Sequence, residues 1–141
     1  MSCEGAGVFV YGPDTLFAED TAGTIHVVAG PMSTASIKAV RAAAMEMMAL
    51  TAPGSGQLGY QLSNDQATWY DDASTPTAGA VTLLGSALTS VTTGYGVGFT
   101  LLPQNSQAGK LWIRFVVVVS RTSGTGLVAV RVTGRIETRS A

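Results

Sequence analysis

The chain is built of short runs in which apolar and polar positions alternate. The clearest is the last, Leu127 to Arg139: Val128, Val130, Val132 and Ile136 fall on one side of an extended chain, and Arg131, Thr133, Arg135, Glu137 and Arg139 on the other. A period of two over that length predicts a strand with one buried face. The run before it, Lys110 to Ser120, is also strand-like, but from Phe115 to Val119 it is apolar on both faces. Such a strand is central in its sheet or has its outer face covered. The loop Arg121 to Gly126 holds two glycines and is expected to join the two strands as a hairpin.

The stretch Ile37 to Thr51 can be read two ways. Its Ala-Ala-Ala-Met-Glu-Met-Met-Ala-Leu core has high helix propensity. Helical spacing groups Ile37, Val40, Ala44, Met47 and Met48, whereas strand spacing groups Val40, Ala42, Ala44, Met48 and Leu50. A long strand is the expectation, because the stretch stops at Pro53-Gly54-Ser55-Gly56 and another strand-like run, Gln57 to Ser63, follows at once. A hairpin accounts for both features, with Ala and Met as small, pliable side chains under a close neighbour.

Gly and Pro punctuate the rest, at Gly12-Pro13, Gly30-Pro31 and Ser123-Gly124-Thr125-Gly126. Turn signals at this spacing between β-rich runs predict an all-β fold: a β-sandwich or jelly-roll-like domain of antiparallel strands with Gly/Pro-rich turns. At 141 residues the chain is long enough for one core. Residues 1–141 are therefore expected to form a single domain, with residues 1–23 a candidate extended N-terminal arm.

Composition adds a surface argument. Charged residues are only 12% of the chain and hydrophobic residues 46%, with a net charge of −1. This excludes a disordered chain, which needs low hydrophobicity and high net charge. Much of the surface must then be Ser, Thr, Gly, Ala or apolar, and such surfaces are often covered by partners. Homo-oligomerisation or assembly with other subunits is the expectation.

The few charges are segregated. Residues 1–72 carry a net −6, residues 73–109 carry none, and residues 110–141 carry a net +5. Either complementary faces meet between subunits, or a basic face meets nucleic acid, or the two segments are neighbouring strands that cancel locally. Arg131, Arg135 and Arg139, on the outward face of the last strand, are the candidate interaction residues. An acidic neighbouring subunit suits them better than DNA, because DNA binding needs more net positive charge and Glu137 weakens the row. Nucleic acid is not an expected partner.

Neither catalysis nor a cofactor is expected. His26 is the single histidine and lies in the strand-like run Thr24-Ile25-His26-Val27-Val28, at a surface or interface. No Gly-x-Ser-x-Gly elbow is present. A zinc site needs several Cys or His ligands, and the chain has one of each. Gly94-Tyr95-Gly96-Val97-Gly98 is not followed by Lys-Ser/Thr, so it is read as glycines in or beside a strand rather than a phosphate loop. The longest apolar run is far short of the ~18–20 residues of a membrane-spanning helix. No basic segment followed by an apolar one marks a secretory signal, and the single Cys3 cannot form an internal disulfide. Folding in a reducing cytoplasm is expected.

One segment carries a family likeness. Gln61-Leu62-Ser63-Asn64-Asp65-Gln66-Ala67-Thr68-Trp69-Tyr70-Asp71 follows a long strand and a Gly-rich turn. Ser63, Asn64 and Asp65 can each bond nearby backbone to close a turn, and Trp69 then brings a large ring to the core or its rim. This segment resembles the Q-x-S-x-D-G-x-x-W-x-D hairpin of β-sandwich structural proteins of tailed bacteriophages, and the likeness extends loosely over residues 24–138. Similar hairpins occur in fibronectin-like and discoidin-like carbohydrate-binding domains. Gln66 stands where the pattern has Gly, which leaves the turn type open, since Gly normally supplies a positive φ there.

The resemblance implies a non-enzymatic virion protein, assembled in the host cytoplasm. Its first expected role is a decoration (cement) protein that stabilises the phage head between copies of the major capsid protein. A tail, neck or baseplate protein and a carbohydrate-binding module of a fibre are the alternatives. The last would use exposed aromatics, with Trp69, Tyr70, Tyr95 and Trp112 as candidates. Trp69, Tyr70, Asp71 and Asp72 could also grip a sugar or Ca²⁺, although the Asp pair lacks the further oxygen ligands that a calcium loop spaces out.

Overall fold

The computed structural model describes residues 6–18, 21–35, 37–51, 54–85, 87–89, 100–101, 111–121 and 126–138. Its regular elements are all strands: β1 Ala6–Ala18, β2 Thr24–Ser33, β3 Ile37–Thr51, β4 Gly54–Ser63, β5 Thr82–Leu83, β6 Leu88–Thr89, β7 Thr100–Leu101, β8 Trp112–Arg121 and β9 Gly126–Thr138. Two antiparallel sheets result. Sheet A has the order β1-β9-β3-β7, and sheet B the order β2-β8-β4-β5, with β6 also paired to β4.

Strands that follow one another in the chain mostly lie in opposite sheets, while the long strands pair with partners distant in sequence, such as β1 with β9 and β2 with β8. That connectivity is a jelly roll, an architecture that packs two antiparallel sheets face to face. The all-β sandwich expected from the sequence is therefore present, and residues 37–51 form a strand of 15 residues against β9 and β7.

Between the sheets lie Leu58, Tyr60 and Leu62 of β4, Ile113, Phe115, Val117 and Val119 of β8, and Val128, Val130 and Val132 of β9. The period of two in β9 produces this directly, since the three valines are buried while Arg131 and Arg135 are exposed. Tyr60 and Phe9 both pack against the Phe115 ring, at centroid distances of 6.3 and 5.7 Å. Strand β8 is central, between β2 and β4, as its two apolar faces required.

Three expectations are corrected. Strands β8 and β9 do not form a hairpin, because β8 pairs with β2 and β4 and β9 with β1 and β3. Likewise β3 and β4 lie in different sheets, and Gly54, Ser55 and Gly56 begin a strand instead of making the turn. A short Gly-rich connection serves a change of sheet as well as a tight hairpin, and alternation along a strand carries no label for its partner.

Gly12-Pro13 and Gly30-Pro31 lie inside strands too, not between them. Register shifts fall at Tyr11/Asp14 and Ala29/Met32. Gly12 and Gly30 have φ of 85° and 98°, and a Cβ on either would lie within 3 Å of the backbone oxygen of Val130 or Ile113. These are bulges in the two edge strands, where a proline without an N–H is tolerated. The candidate arm is also, from Ala6 to Ala18, an edge strand paired along β9.

Candidate interaction surfaces

The outer face of sheet B is roofed by the excursion between β4 and β5. Its first turn is set by Ser63, whose hydroxyl donates to the Thr68 carbonyl at 2.6 Å and accepts from the Asp65 and Gln66 N–H groups. Asp65 Oδ1 accepts from the Ala67 and Thr68 N–H groups, each at 2.9 Å. Those backbone donors hold the Asp65 carboxyl below its usual range. Gln66 takes a φ of 60°, so it adopts the left-handed conformation that the related pattern assigns to Gly. Leu62 and Tyr70 then exchange two backbone hydrogen bonds, which closes the small hairpin expected from the sequence.

This hairpin lays Trp69 on the outside of sheet B. The Arg114 guanidinium lies 4.3 Å from the Trp69 ring centroid and donates from Nε and Nη2 to Gln61 Oε1 at 3.0 and 2.8 Å. Gln61 is only 1% exposed, and its Nε2 donates to the Ala80 carbonyl. Residues 80–82 then cross so close over β4 that a Cβ on Gly59 would lie 2.5 Å from Val81 Cγ1. Val116, which faces outward opposite Gly59, is fully buried.

Further along the roof, the Tyr60 hydroxyl donates to Asp72 Oδ2 at 2.6 Å, and Asp71 Oδ1 accepts from the Thr77 N–H. Burial, reinforced by Asp72, pushes the Tyr60 hydroxyl well above its ordinary pKa. Beyond the roof a cleft of about 140 Å³ opens between Val118, Gln57 and Leu83.

The outer face of sheet A has no such cover among the described residues. Val8 and Val10 of β1 are 72% and 62% exposed. Val8 stands opposite Arg135 of β9, which stands opposite Arg41 of β3, and Val10 stands opposite Thr133. In the register of the two strands Arg131 pairs with Glu46.

The candidate residues are thus split between the two layers. Arg131 and Arg135 share the outer face of sheet A, and Arg139 lies outside the described residues. Trp69, 7% exposed, and the half-buried Tyr70 belong to the roof of sheet B, while Trp112 is half-buried at the start of β8. Tyr95 and the glycines around it lie outside the described residues. His26 Nε2 is 3.0 Å from the Phe17 carbonyl oxygen, at the edge where β2 meets β1.

Two features escaped the sequence reading. One is the exposure of Val8 and Val10: the run Gly7-Val8-Phe9-Val10-Tyr11 is apolar on both faces, the signal that marked β8, yet it forms an edge strand. The other is the Gln61–Arg114–Trp69 cluster. Its members are 53 and 45 residues apart from Arg114, and no local pattern joins them. Among the described residues no group of three His, Cys, Asp or Glu is placed to hold a metal ion. No helix there is long and apolar enough to cross a membrane.

The jelly roll is shared with chains of virus particles. A chain of infectious bursal disease virus, Gt strain, superposes with a TM-score of 0.61 at 9% identity, over 95% of this chain and 32% of that one. A chain of the Gx strain gives 0.56 at 9% identity, over 99% and 37%. A chain of the VP2 subviral particle of the same virus gives 0.52 at 10% identity, over 98% and 38%. This chain therefore spans about a third of the length of those proteins, and the likeness is one of fold. No protein-family model and no curated protein matches the sequence.

Proposed function

We propose that the chain is a non-enzymatic structural component of a virus particle, and that its finer role is a decoration (cement) protein on the head of a tailed phage. The observation that carries the reading is the jelly-roll fold common to this chain and to chains of virus particles. The outer face of β1 and β9, with Val8, Val10, Arg131 and Arg135 exposed, supports it as a surface suited to a protein neighbour. The mechanism is passive. Each copy buries modest area against capsid subunits, and the contributions add over many equivalent sites on a shell.

Purified particles of the encoding virus test this. Mass spectrometry and electron microscopy should find the chain in many copies on the outside of the head. A few copies on the tail would move it to a neck, tail or baseplate role, and its absence from particles would overturn the proposal.

A further inference from the structure

We infer that the outer face of sheet A binds a second copy of this chain, through the acidic roof over sheet B of that copy. The inference rests on the proposed structural role, in which the chain works through repeated protein contacts.

Arg131 and Arg135 are exposed on that face, on the strand beside β1. Exposed guanidinium groups favour a neighbour that carries carboxylates. Val8, the register partner of Arg135, and Val10 are more than half exposed. Asp14, on the same strand, is the register partner of the inward Val130 and so lies on the other face of the sheet, where its carboxylate accepts from the Tyr11 hydroxyl at 3.0 Å. Pairing along the β1 edge is interrupted by the Gly12-Pro13 bulge, so what the strand offers is its side-chain face more than its backbone. The occupant that fits is a surface with fixed carboxylates among apolar groups.

The chain carries such a surface on its opposite layer. The excursion over sheet B, residues 64–81, contains Asp65, Asp71 and Asp72 and no Lys or Arg, and the Arg114 guanidinium beneath it is held against Trp69 and Gln61. The hydrogen bonds from the Ala67, Thr68 and Thr77 N–H groups hold the Asp65 and Asp71 carboxylates in place, while Asp72 is engaged by the core residue Tyr60. Leu83, half exposed, adds apolar area in the same layer. Because the two surfaces lie on opposite sides of the sandwich, the contact is head to tail, and it builds a closed ring or an open row rather than a two-fold dimer.

Sedimentation of the purified chain over a concentration series provides the test. The wild type should self-associate, more weakly as salt rises. Arg135→Glu and Asp71→Lys should each raise the apparent dissociation constant about tenfold or more, because each sets like charges face to face. An equal mixture of the two variants should recover association, since each reversed face then meets its complement. Val8→Ser with Val10→Ser keeps every charge and should also weaken association, which covers a charge variant that fails to fold. Circular dichroism checks each fold.

A monomeric wild type, folded variants that associate like the wild type, or a mixture no tighter than its parts would overturn the inference. A chain that associates in this way but is absent from particles would sink only the virion proposal. A monomer that is present in particles would sink only this contact.

Discussion

The two sheets of this sandwich share one core but treat their outer faces differently. Sheet B is built as a middle layer. Its central strand is apolar on both sides, its outward Val116 and Gln61 are buried, and an excursion anchored by Trp69 on Arg114 closes over it. Among the described residues sheet A has no such cover, and Val8 and Val10 are exposed. A roof made by the chain itself covers sheet B, whereas among the described residues nothing covers Val8 and Val10 of sheet A. On the proposed role, stability should be sensitive on one side and association on the other.

The largest expected contrast comes from Trp69. Trp69→Ala removes the ring over Arg114 and opens the roof, and should cost about 3–5 kcal/mol, the range for truncating a buried large aromatic. Val8→Ser with Val10→Ser should shift the stability of the separated chain by roughly 0.5 kcal/mol or less per site, as exposed positions do. Denaturant unfolding under conditions where the chain is monomeric measures both. Equal losses at the two faces would break the comparison.

A finer contrast uses two glycines. A methyl on Gly59 meets Val81 Cγ1 at 2.5 Å and the Thr82 carbonyl oxygen at 2.7 Å, whereas one on Gly7 in β1 meets nothing within 4 Å. Gly59→Ala should therefore lift the 80–82 crossing and cost about 1–3 kcal/mol, the usual penalty for overpacking. Gly7→Ala should be neutral or add up to about 1 kcal/mol by restricting the unfolded chain. Thermal melts of the two variants decide the matter, and a Gly59→Ala variant as stable as wild type would mean that the roof is loosely held.

How far the sequence could anticipate this follows from the range of each signal. Alternation is local, so β9 and the central position of β8 were legible from Val128 to Ile136 and from Phe115 to Val119. The strand at residues 37–51 was anticipated against its own helix propensity, but through an expected hairpin with β4 that the two sheets do not form. Pairing is not local. The partners of β3 and β4 lie elsewhere in the chain, and the short segments between consecutive strands gave no sign that they change sheets. The same limit hid the Gln61–Arg114–Trp69 cluster. It also made Gly12-Pro13 and Gly30-Pro31 look like turns, since a bulge and a turn ask for the same residues.

The smallest expected effect lies where the roof begins. Gln66 has a φ of 60°, a region costly for a residue with a Cβ, and its side chain is exposed. The turn around it is held by backbone and by Ser63 and Asp65, including the bond from the Gln66 N–H to Ser63 Oγ at 3.0 Å. Glycine preserves every one of these bonds and removes the Cβ clash of ~1–2 kcal/mol. Against that stands the larger entropy that glycine gives the unfolded chain, of roughly 0.5–1 kcal/mol. Gln66→Gly should thus stabilise by about 0.5 kcal/mol, a rise of roughly 1–2 °C in Tm for a domain of this size. A lowered Tm would show that the Gln66 side chain contributes to the roof, and that sheet B's cover depends on more than the Ser63–Asp65 turn and the Trp69–Arg114 contact.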